Sequence, residues 1–451
     1  MLYLKFMHVA VIGGDFRSCM IAKRLLNKGN NVYLFCADKS LGGFLKGVKA
    51  FDRNLDVGPQ YLNNFTNADR EFIESFGKGA ELIDLTFNYS NFIGGKVSQE
   101  NMALPNWQNF LNLETRLEIL LERSILLLNN NEIFNEELSL SEYLYRTAGN
   151  TLKSYMDKIC YKFYGITTSD INYKANEIIP FVSNRQALFE GKTSKELKKA
   201  LNIFDDTLAA PRSDSENLVY NLYPKYGYSN MFETIESNLT KEGVKILKET
   251  IVKSIKNEAN NYYYIESNQT SINDIPFDKI YLGLDERYAE RILLGTNQLE
   301  KQTNYIPQHF IYMETNKGAI GNLNYIFDYD LNHITSRISD LNYSINNPMK
   351  TVLCSEVYAK NNNSLDKVIN MCKDEISEIS NQITNNSKHL DFYEVKSFTI
   401  PKCYRIPLKG YFKSLKVIKN NIKNKYGEKL VMFPFKFSRK EMLMSIDKEL
   451  G

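Results

Sequence analysis

Apolar residues near the start of the chain follow two periods, and the change between them predicts a strand, a helix and a second strand. Residues 8–13, HVAVIG, form a short β-branched run typical of a buried parallel strand. Apolar positions then recur every three or four residues, at Phe16, Met20, Ile21, Leu25 and Leu26. This spacing predicts a helix that ends at Gly29, and NVYLFC at 31–36 predicts the second strand. A β–α–β order opens a dinucleotide-binding domain.

Two later segments also have clear periods. Residues 117–128, LEILLERSILLL, carry charges at helical spacing and predict an amphipathic helix. Because its polar face is not strongly basic, we favour a helix packed on the core over one lying on a membrane surface. Residues 351–359, TVLCSEVYA, alternate with period two and predict a strand.

Length and charge narrow the class of protein. A chain of 451 residues exceeds the size at which one core usually stops growing, which predicts two domains. The 56 Lys and Arg nearly balance the 53 Asp and Glu and are spread along the chain, which argues against a nucleic-acid partner. No apolar run reaches the ~20 residues needed to span a bilayer, and the opening segment does not resemble a signal peptide.

The titratable residues predict no metal or disulfide chemistry. Six cysteines without a CxxC pair predict neither a zinc site nor a disulfide framework, so we expect a reduced, cytoplasmic protein. The four histidines, at positions 8, 309, 333 and 389, do not assemble into a Ser–His–Asp arrangement, and each is interpreted as structural or solvated.

The turn after the first predicted strand, VIGGDFRSC at 11–19, departs from the glycine motif of dinucleotide-binding domains. The three glycine positions of that motif hold Gly13, Asp15 and Ser18. Ser18 still permits close packing of helix on strand, whereas Asp15 lies where the backbone normally approaches a diphosphate. Its carboxylate can cap the helix instead, and it would repel a diphosphate by about 1–4 kcal/mol.

The second predicted strand ends in Cys36, not in the acidic residue that normally holds a ribose hydroxyl. Asp38, two residues later, reaches a ribose only if the turn bends inward. Otherwise it is a solvated loop carboxylate, and both interpretations stay open.

Five further segments carry a family resemblance. They are CADKSLGGFLKG at 36–47, LDVGPQYL at 55–62, YNLYPKYGYSNMFETIESNLTKEGVKILKETIVKSI at 220–255, FDKIYLGL at 277–284, and KLVMFPFKFSRKEMLMSIDKEL at 429–450. In this order they resemble the flavin-dependent amine oxidase and protoporphyrinogen oxidase superfamily. The last segment is most similar to the sugar-nucleotide mutase branch, the relatives of UDP-galactopyranose mutase.

The resemblance implies an α/β fold with two domains. A Rossmann-like FAD/NAD(P)-binding domain, with a parallel sheet and helices on both faces, is expected from residues 1–75, 217–290 and 400–451. A mixed α+β substrate domain is expected from residues 76–216 and 291–399.

The resemblance also implies FAD, extended along the first helix. The residues expected to contact it are Gly13, Gly14, Ser18, Asp38, Gly42, Gly43, Gly58, Gln60 and Val252. Lys225 is the first candidate for a proton-handling or water-positioning group near the flavin ring, because a lysine in a dry pocket can have a lowered pKa. The other interpretation is an exposed lysine in a turn. Tyr223, Tyr226 and Tyr228 are expected to line the same cavity or to lie at a sheet edge.

Four residues depart from the family at the cofactor: Asp15, Cys36, Phe433 and Pro434. Proline has no N–H to offer a phosphate. We therefore keep two main hypotheses, an FAD-dependent oxidoreductase acting on an unknown small molecule and a cofactor-free relative that serves as a binding or partner protein. A sugar-nucleotide mutase-like flavoenzyme, which is redox-neutral, is the third.

Overall fold

The chain forms two compact units. The computed structural model describes residues 7–76, 81–129, 137–177, 179, 181–210, 220–257, 262–341, 349–360, 363–384, 390–434, 436 and 438–450. Unit 1 comprises Met1–Thr86, Leu218–Lys301 and Ser414–Gly451. Unit 2 comprises Phe87–Asn217 and Gln302–Lys413.

Strands and helices are numbered in chain order over the described residues. The strands are β1 (His8–Ile12), β2 (Asn31–Phe35), β3 (Val48–Ala50), β4 (Arg53–Leu55), β5 (Leu62–Phe65), β6 (Leu82–Asp84), β7 (Tyr89–Ile93), β8 (Lys96–Val97), β9 (Tyr220–Pro224), β10 (Lys245–Leu247), β11 (Val252–Asn257), β12 (Tyr263–Ser267), β13 (Lys279–Leu282), β14 (Thr303–Asn316), β15 (Tyr325–Asp328), β16 (Thr335–Asp340), β17 (Lys350–Tyr358), β18 (Phe392–Pro407) and β19 (Leu430–Met432). The helices are α1 (Phe16–Asn27), α2 (Asn67–Phe76), α3 (Leu113–Asn129), α4 (Leu140–Tyr164), α5 (Gly191–Ala200), α6 (Gly227–Lys241), α7 (Glu286–Leu294), α8 (Gln298–Lys301), α9 (Leu365–Thr384), α10 (Tyr411–Tyr426) and α11 (Arg439–Leu450).

Unit 1 is built on a five-stranded parallel sheet in the order β10–β2–β1–β13–β19. β1 lies at its centre, where Ala10 pairs with Tyr33 of β2 and with Ile280 of β13. The predicted β–α–β opening is confirmed, because α1 joins β1 to the parallel neighbour β2. Its apolar face explains this, since Met20, Ile21 and Leu25 are all buried.

Unit 2 is built on a seven-stranded mixed sheet in the order β18–β14–β17–β16–β15–β7–β8. The β15–β7 pair is parallel, and the other described pairs are antiparallel. Apolar residues of α9, such as Val368 and Ile376, share a core cluster with Ile311 and Leu353 of the sheet. Together with the parallel sheet of unit 1, this architecture confirms the predicted fold class.

The burial of α3 and β17 differs from the prediction. In helix α3 only Ile119 and Arg123 are buried. The large aliphatic residues of its other face are exposed; they are Leu113, Leu117, Leu121, Ile125 and Leu128. Strand β17 does form where predicted, but its residues 351–357 are all buried, so both of its faces are covered. Among the described helices, none combines the length and the apolarity that crossing a membrane requires.

Candidate functional site

The turn between β1 and α1 depends on a glycine. Gly13 has φ +135°, and a Cβ there would lie 2.3 Å from Ser18 Oγ and 3.3 Å from the backbone of Gly283. Its N–H donates to the carbonyl of Phe35 at 2.9 Å, which ties the turn to the end of β2. Gly13 and Ser18 are therefore in close contact where α1 begins, at the carboxyl edge of the parallel sheet.

Asp15 caps α1, as the sequence predicted. One oxygen of its carboxylate accepts from the Ser18 N–H at 2.9 Å and from the Ser18 hydroxyl at 2.7 Å. This bond satisfies one of the free N–H groups at the helix start. It also leaves a carboxylate at the point where the fold would accept a phosphate.

Arg17 is a buried charged residue at the start of α1 to which the sequence pattern gave no role. Its side chain is only 3 % exposed, and Nη2 donates to the carbonyl of Gly283 at 2.7 Å. Nη1 lies 3.5 Å from the carbonyl of Phe433, at the end of β19. Arg17 Nε is buried without a hydrogen-bond partner, and no carboxylate within the described ranges forms an ion pair with this guanidinium. The single charge in the apolar first turn of α1 was the signal that could have identified it.

Cys36 occupies the space beside Gly14. A Cβ on Gly14 would lie 2.3 Å from Cys36 Sγ, and burial raises the pKa of the Cys36 thiol. Asp38 is exposed, and its carbonyl accepts from the N–H of Glu249 at 3.1 Å. The Asp38 side chain is therefore exposed in this structure, and its role at a ribose stays a prediction.

The Gly42–Gly43 turn packs against the same region. Gly42 has φ +112° and Gly43 has φ +55°, and the Gly42 N–H donates to the carbonyl of Gly14 at 2.7 Å. A Cβ on Gly42 would lie 2.6 Å from the ring of Phe232 in α6, so that residue must stay small. Gly13, Gly14, Ser18, Gly42 and Gly43 are therefore brought together.

A second cluster surrounds the residues predicted to lie near the flavin ring. Gly58 has φ +64°, and Gln60 Nε2 donates to the carbonyl of Val57 at 2.8 Å. Arg439, the first residue of α11, donates from Nη1 to the carbonyl of Tyr61 at 2.6 Å and from Nη2 to Gln60 Oε1. Sequence reasoning gave no role to Arg439, because its partners lie 378 and 379 positions away.

Lys225 lies directly after β9. Its ammonium forms an ion pair with Glu81 at 2.5 Å, and the side chain is 44 % exposed. Hydrogen bonds to Glu81 and Tyr226 raise the pKa of Lys225, whereas a dry pocket would lower it. Of the nearby tyrosines, Tyr223 and Tyr228 are buried and Tyr226 is 60 % exposed.

The remaining candidates lie on separate elements. Val252 begins β11 and pairs with Ser267 of β12. Phe433 is buried, with its ring centre 6.5 Å from that of Tyr281, and Pro434 is exposed. His389 lies outside the described residues.

Unit 2 contains a cavity of about 500 Å³. Aromatic residues form part of its wall, among them Trp107, Phe110 and Tyr155, and polar residues include Asp330 and Glu378. Such a mixture of apolar wall and few polar groups is typical of a small-molecule pocket.

A buried charge network lies beside this cavity. Asp328, His333 and Glu375 place their ligand atoms within 4.8 Å of one another. Lys162 Nζ lies 3.1 Å from Asp328 Oδ1, and Glu375 accepts from the N–H groups of Ile334 and Thr335. Because a cation and amides already engage these carboxylates, the cluster fits an ion-pair network and not a metal site.

The described cysteines are all free, and five of the six are buried. A reducing compartment stays a prediction.

Comparison with known proteins identifies the fold. No protein-family model and no curated protein matches the sequence. Solved structures match along nearly the whole chain. Reduced UDP-galactopyranose mutase matches with a TM-score of 0.68 and 14% identity over 99% of this chain and 93% of that chain. A protein from Exiguobacterium sp. 255-15, provisionally named protoporphyrinogen oxidase, matches with a TM-score of 0.65 and 15% identity over 98% of both chains.

Cyclohexylamine oxidase from Brevibacterium oxydans IH-35A matches with a TM-score of 0.64 and 12% identity over 99% of this chain and 98% of that chain. At such identities the likeness establishes the fold alone. The chain shares the fold of these three proteins, which is the fold that its sequence resemblance implied.

Proposed function

We propose that this protein binds FAD through unit 1 and is an oxidoreductase that acts on a small molecule. One observation carries the proposal, the pair of glycine turns at the carboxyl edge of the parallel sheet. Gly13, with φ +135°, forms the turn from β1 into α1, and the Gly42 N–H donates to the carbonyl of Gly14. In open α/β sheets, ligands bind outside the carboxyl ends of the strands, and glycines allow the backbone to approach them.

Two arginines support the fit of an anionic dinucleotide. Arg17 Nε is a buried, orphaned nitrogen at this edge, and a buried cation without a counter-charge is costly. At the second cluster, Arg439 adds a positive charge beside Gln60 and Gly58. Bound FAD would supply the electron-accepting chemistry, and a positive side chain near its ring would favour the reduced, more negative form.

Lys225 stays the candidate for proton handling or water positioning in this proposal. Because its pKa is raised, it keeps its proton at neutral pH and would act by positioning a water or the substrate and not as a base. Val252 and Asp38 stay candidates for the adenosine end.

Asp15 favours a second candidate function, that of a cofactor-free binding or partner protein. Its carboxylate takes the helix N-terminus that a phosphate would use, and Pro434, which has no N–H, offers no amide in return. The positive-φ glycines would then persist because their turns require them.

The absorbance spectrum of the purified full-length protein separates the two candidates. We expect the visible bands of flavin, or their appearance when FAD is added and free FAD is removed. A colourless protein that retains no added FAD contradicts the first candidate and leaves the second. If flavin is bound, anaerobic substrate that reduces it indicates an oxidoreductase, whereas conversion of substrate without net reduction indicates a mutase.

A further inference from the structure

Asp15 and Arg17 lie two positions apart in the sequence, but their side chains are engaged with different parts of unit 1. The Asp15 carboxylate folds back onto the first turn of α1, where Ser18 donates to it twice. The Arg17 guanidinium is bonded to Gly283, the residue after β13, and lies near the carbonyl of Phe433, the residue after β19. The Arg17 guanidinium therefore lies along the carboxyl edge of the parallel sheet.

The hydrogen bonds of Arg17 are incomplete. A guanidinium has five N–H groups, and here Nη2 has a good carbonyl acceptor, Nη1 a long one, and Nε none. Among the described residues only neutral carbonyls contact the guanidinium, so its charge has no counter-ion there, although Arg17 is only 3 % exposed. Arginine is the side chain best suited to bind a phosphate with two parallel donors.

The geometry points to Arg17 as the side chain that recognises the diphosphate of an adenine dinucleotide, in opposition to Asp15. This inference rests on the proposed function. Arg17 would replace the attraction that a helix N-terminus loses when its N–H groups are capped by a carboxylate. The affinity for a diphosphate would then reflect two opposed charges, attraction by Arg17 and repulsion by Asp15.

The test measures binding of FAD, ADP and adenosine to the full-length protein and to matched variants. ADP carries the diphosphate and adenosine does not, so the pair separates recognition of the diphosphate from a general effect on the fold. We expect Arg17→Met to weaken FAD and ADP binding by about 10- to 100-fold and to leave adenosine binding unchanged. Arg17→Lys should retain part of the affinity, because it keeps a positive charge.

Arg24→Met is the matched control. Arg24 lies on the same helix two turns later, pairs with Asp447 at 2.9 Å, and has its own buried, unpartnered Nε. Its replacement should leave the affinity for FAD and ADP unchanged. Each Arg17 variant is also made in an Asp15→Asn background. The Asp15→Asn protein that keeps Arg17 should bind FAD more tightly than the parent protein does. Raising the salt concentration should weaken ADP binding when Arg17 is present and have less effect in Arg17→Met.

The outcomes separate the two proposals. Equal ADP affinity for Arg17→Met and the parent protein, in either background, overturns the inference and leaves FAD binding intact. Equal loss of ADP and adenosine binding also overturns it, because Arg17 would then act only on the fold. If neither the parent protein nor Asp15→Asn binds FAD or ADP, the proposed function fails and the inference fails with it.

Discussion

His333 Nδ1 lies 2.6 Å from Oδ2 of Asp328, and the carboxylate of Asp328 is completely buried. Burial lowers the pKa of His333, but the hydrogen bond and charge of Asp328, assisted by Glu375, outweigh it and raise the pKa to about 9. Glu378 approaches the other ring nitrogen at 3.4 Å, and Lys162 is the opposing cation. The imidazole is therefore positively charged in the folded protein at neutral pH.

This pair predicts that the protein loses stability in mild alkali. The folded pKa lies above the ordinary value of 6.5, so the stabilisation is complete below pH 6.5 and is lost as the pH rises through about 9. The loss should amount to at most about 3–4 kcal/mol in the free energy of unfolding. Denaturant unfolding at a series of pH values measures it.

His333→Gln should remove most of this pH dependence, because the amide does not titrate. His309→Gln is the control, since burial lowers the pKa of His309 and its ring is hydrogen-bonded to the Thr399 hydroxyl. A His333→Gln protein that still loses the same free energy between pH 6.5 and 9 would show that another group is responsible.

Gly13→Ala should destabilise unit 1 by about 2–5 kcal/mol, because it combines a positive φ with a Cβ 2.3 Å from Ser18 Oγ. Gly427→Ala is the control, since Gly427 has φ +67° and open space around its Cα. It should cost about 1–2 kcal/mol, the effect of the backbone conformation alone. Thermal and denaturant unfolding compare the two, and similar losses would contradict a steric role for the Gly13 contact.

The sequence was sufficient where one local pattern determines the structure. The apolar periods on either side of Gly13 predicted β1, α1 and β2, and Asp15 was expected to cap α1 because its side chain needs only the next turn of helix. Segment resemblance placed the fold class correctly along the whole chain.

The sequence was insufficient where the partner is distant. Arg17 meets a carbonyl 266 positions away, and Arg439 meets Tyr61 across 378 positions. No periodicity reports such contacts. Helix α3 is a second case in which the sequence was insufficient. The spacing identified its apolar face but could not show whether another element covers that face, and Leu121 is 62% exposed.

Thiol labelling should distinguish the folded protein sharply from the unfolded one. Burial raises the pKa of Cys36, and burial with the nearby Asp157 raises that of Cys160, so little reactive thiolate is present at neutral pH. We expect slow reaction of the native protein with a thiol reagent and reaction of all six cysteines after unfolding, mapped by mass spectrometry. Rapid native labelling of Cys36 would mean that the region beside Gly14 opens in solution.

Arg439→Met should weaken FAD binding by about 10-fold and leave ADP binding unchanged. Arg439 holds Gln60 and the Tyr61 carbonyl in the cluster proposed for the flavin ring, and ADP has no such ring. Its guanidinium also lies 5.7 Å from the ring centre of Tyr228, so the substitution removes a positive charge from an aromatic surface. Lys448→Met, an exposed change at the other end of α11, is the control for charge alone. Calorimetric titration with both ligands measures the effect. A parallel loss of FAD and ADP affinity would place Arg439 at the diphosphate or in the fold, and an unchanged FAD affinity would remove it from the site.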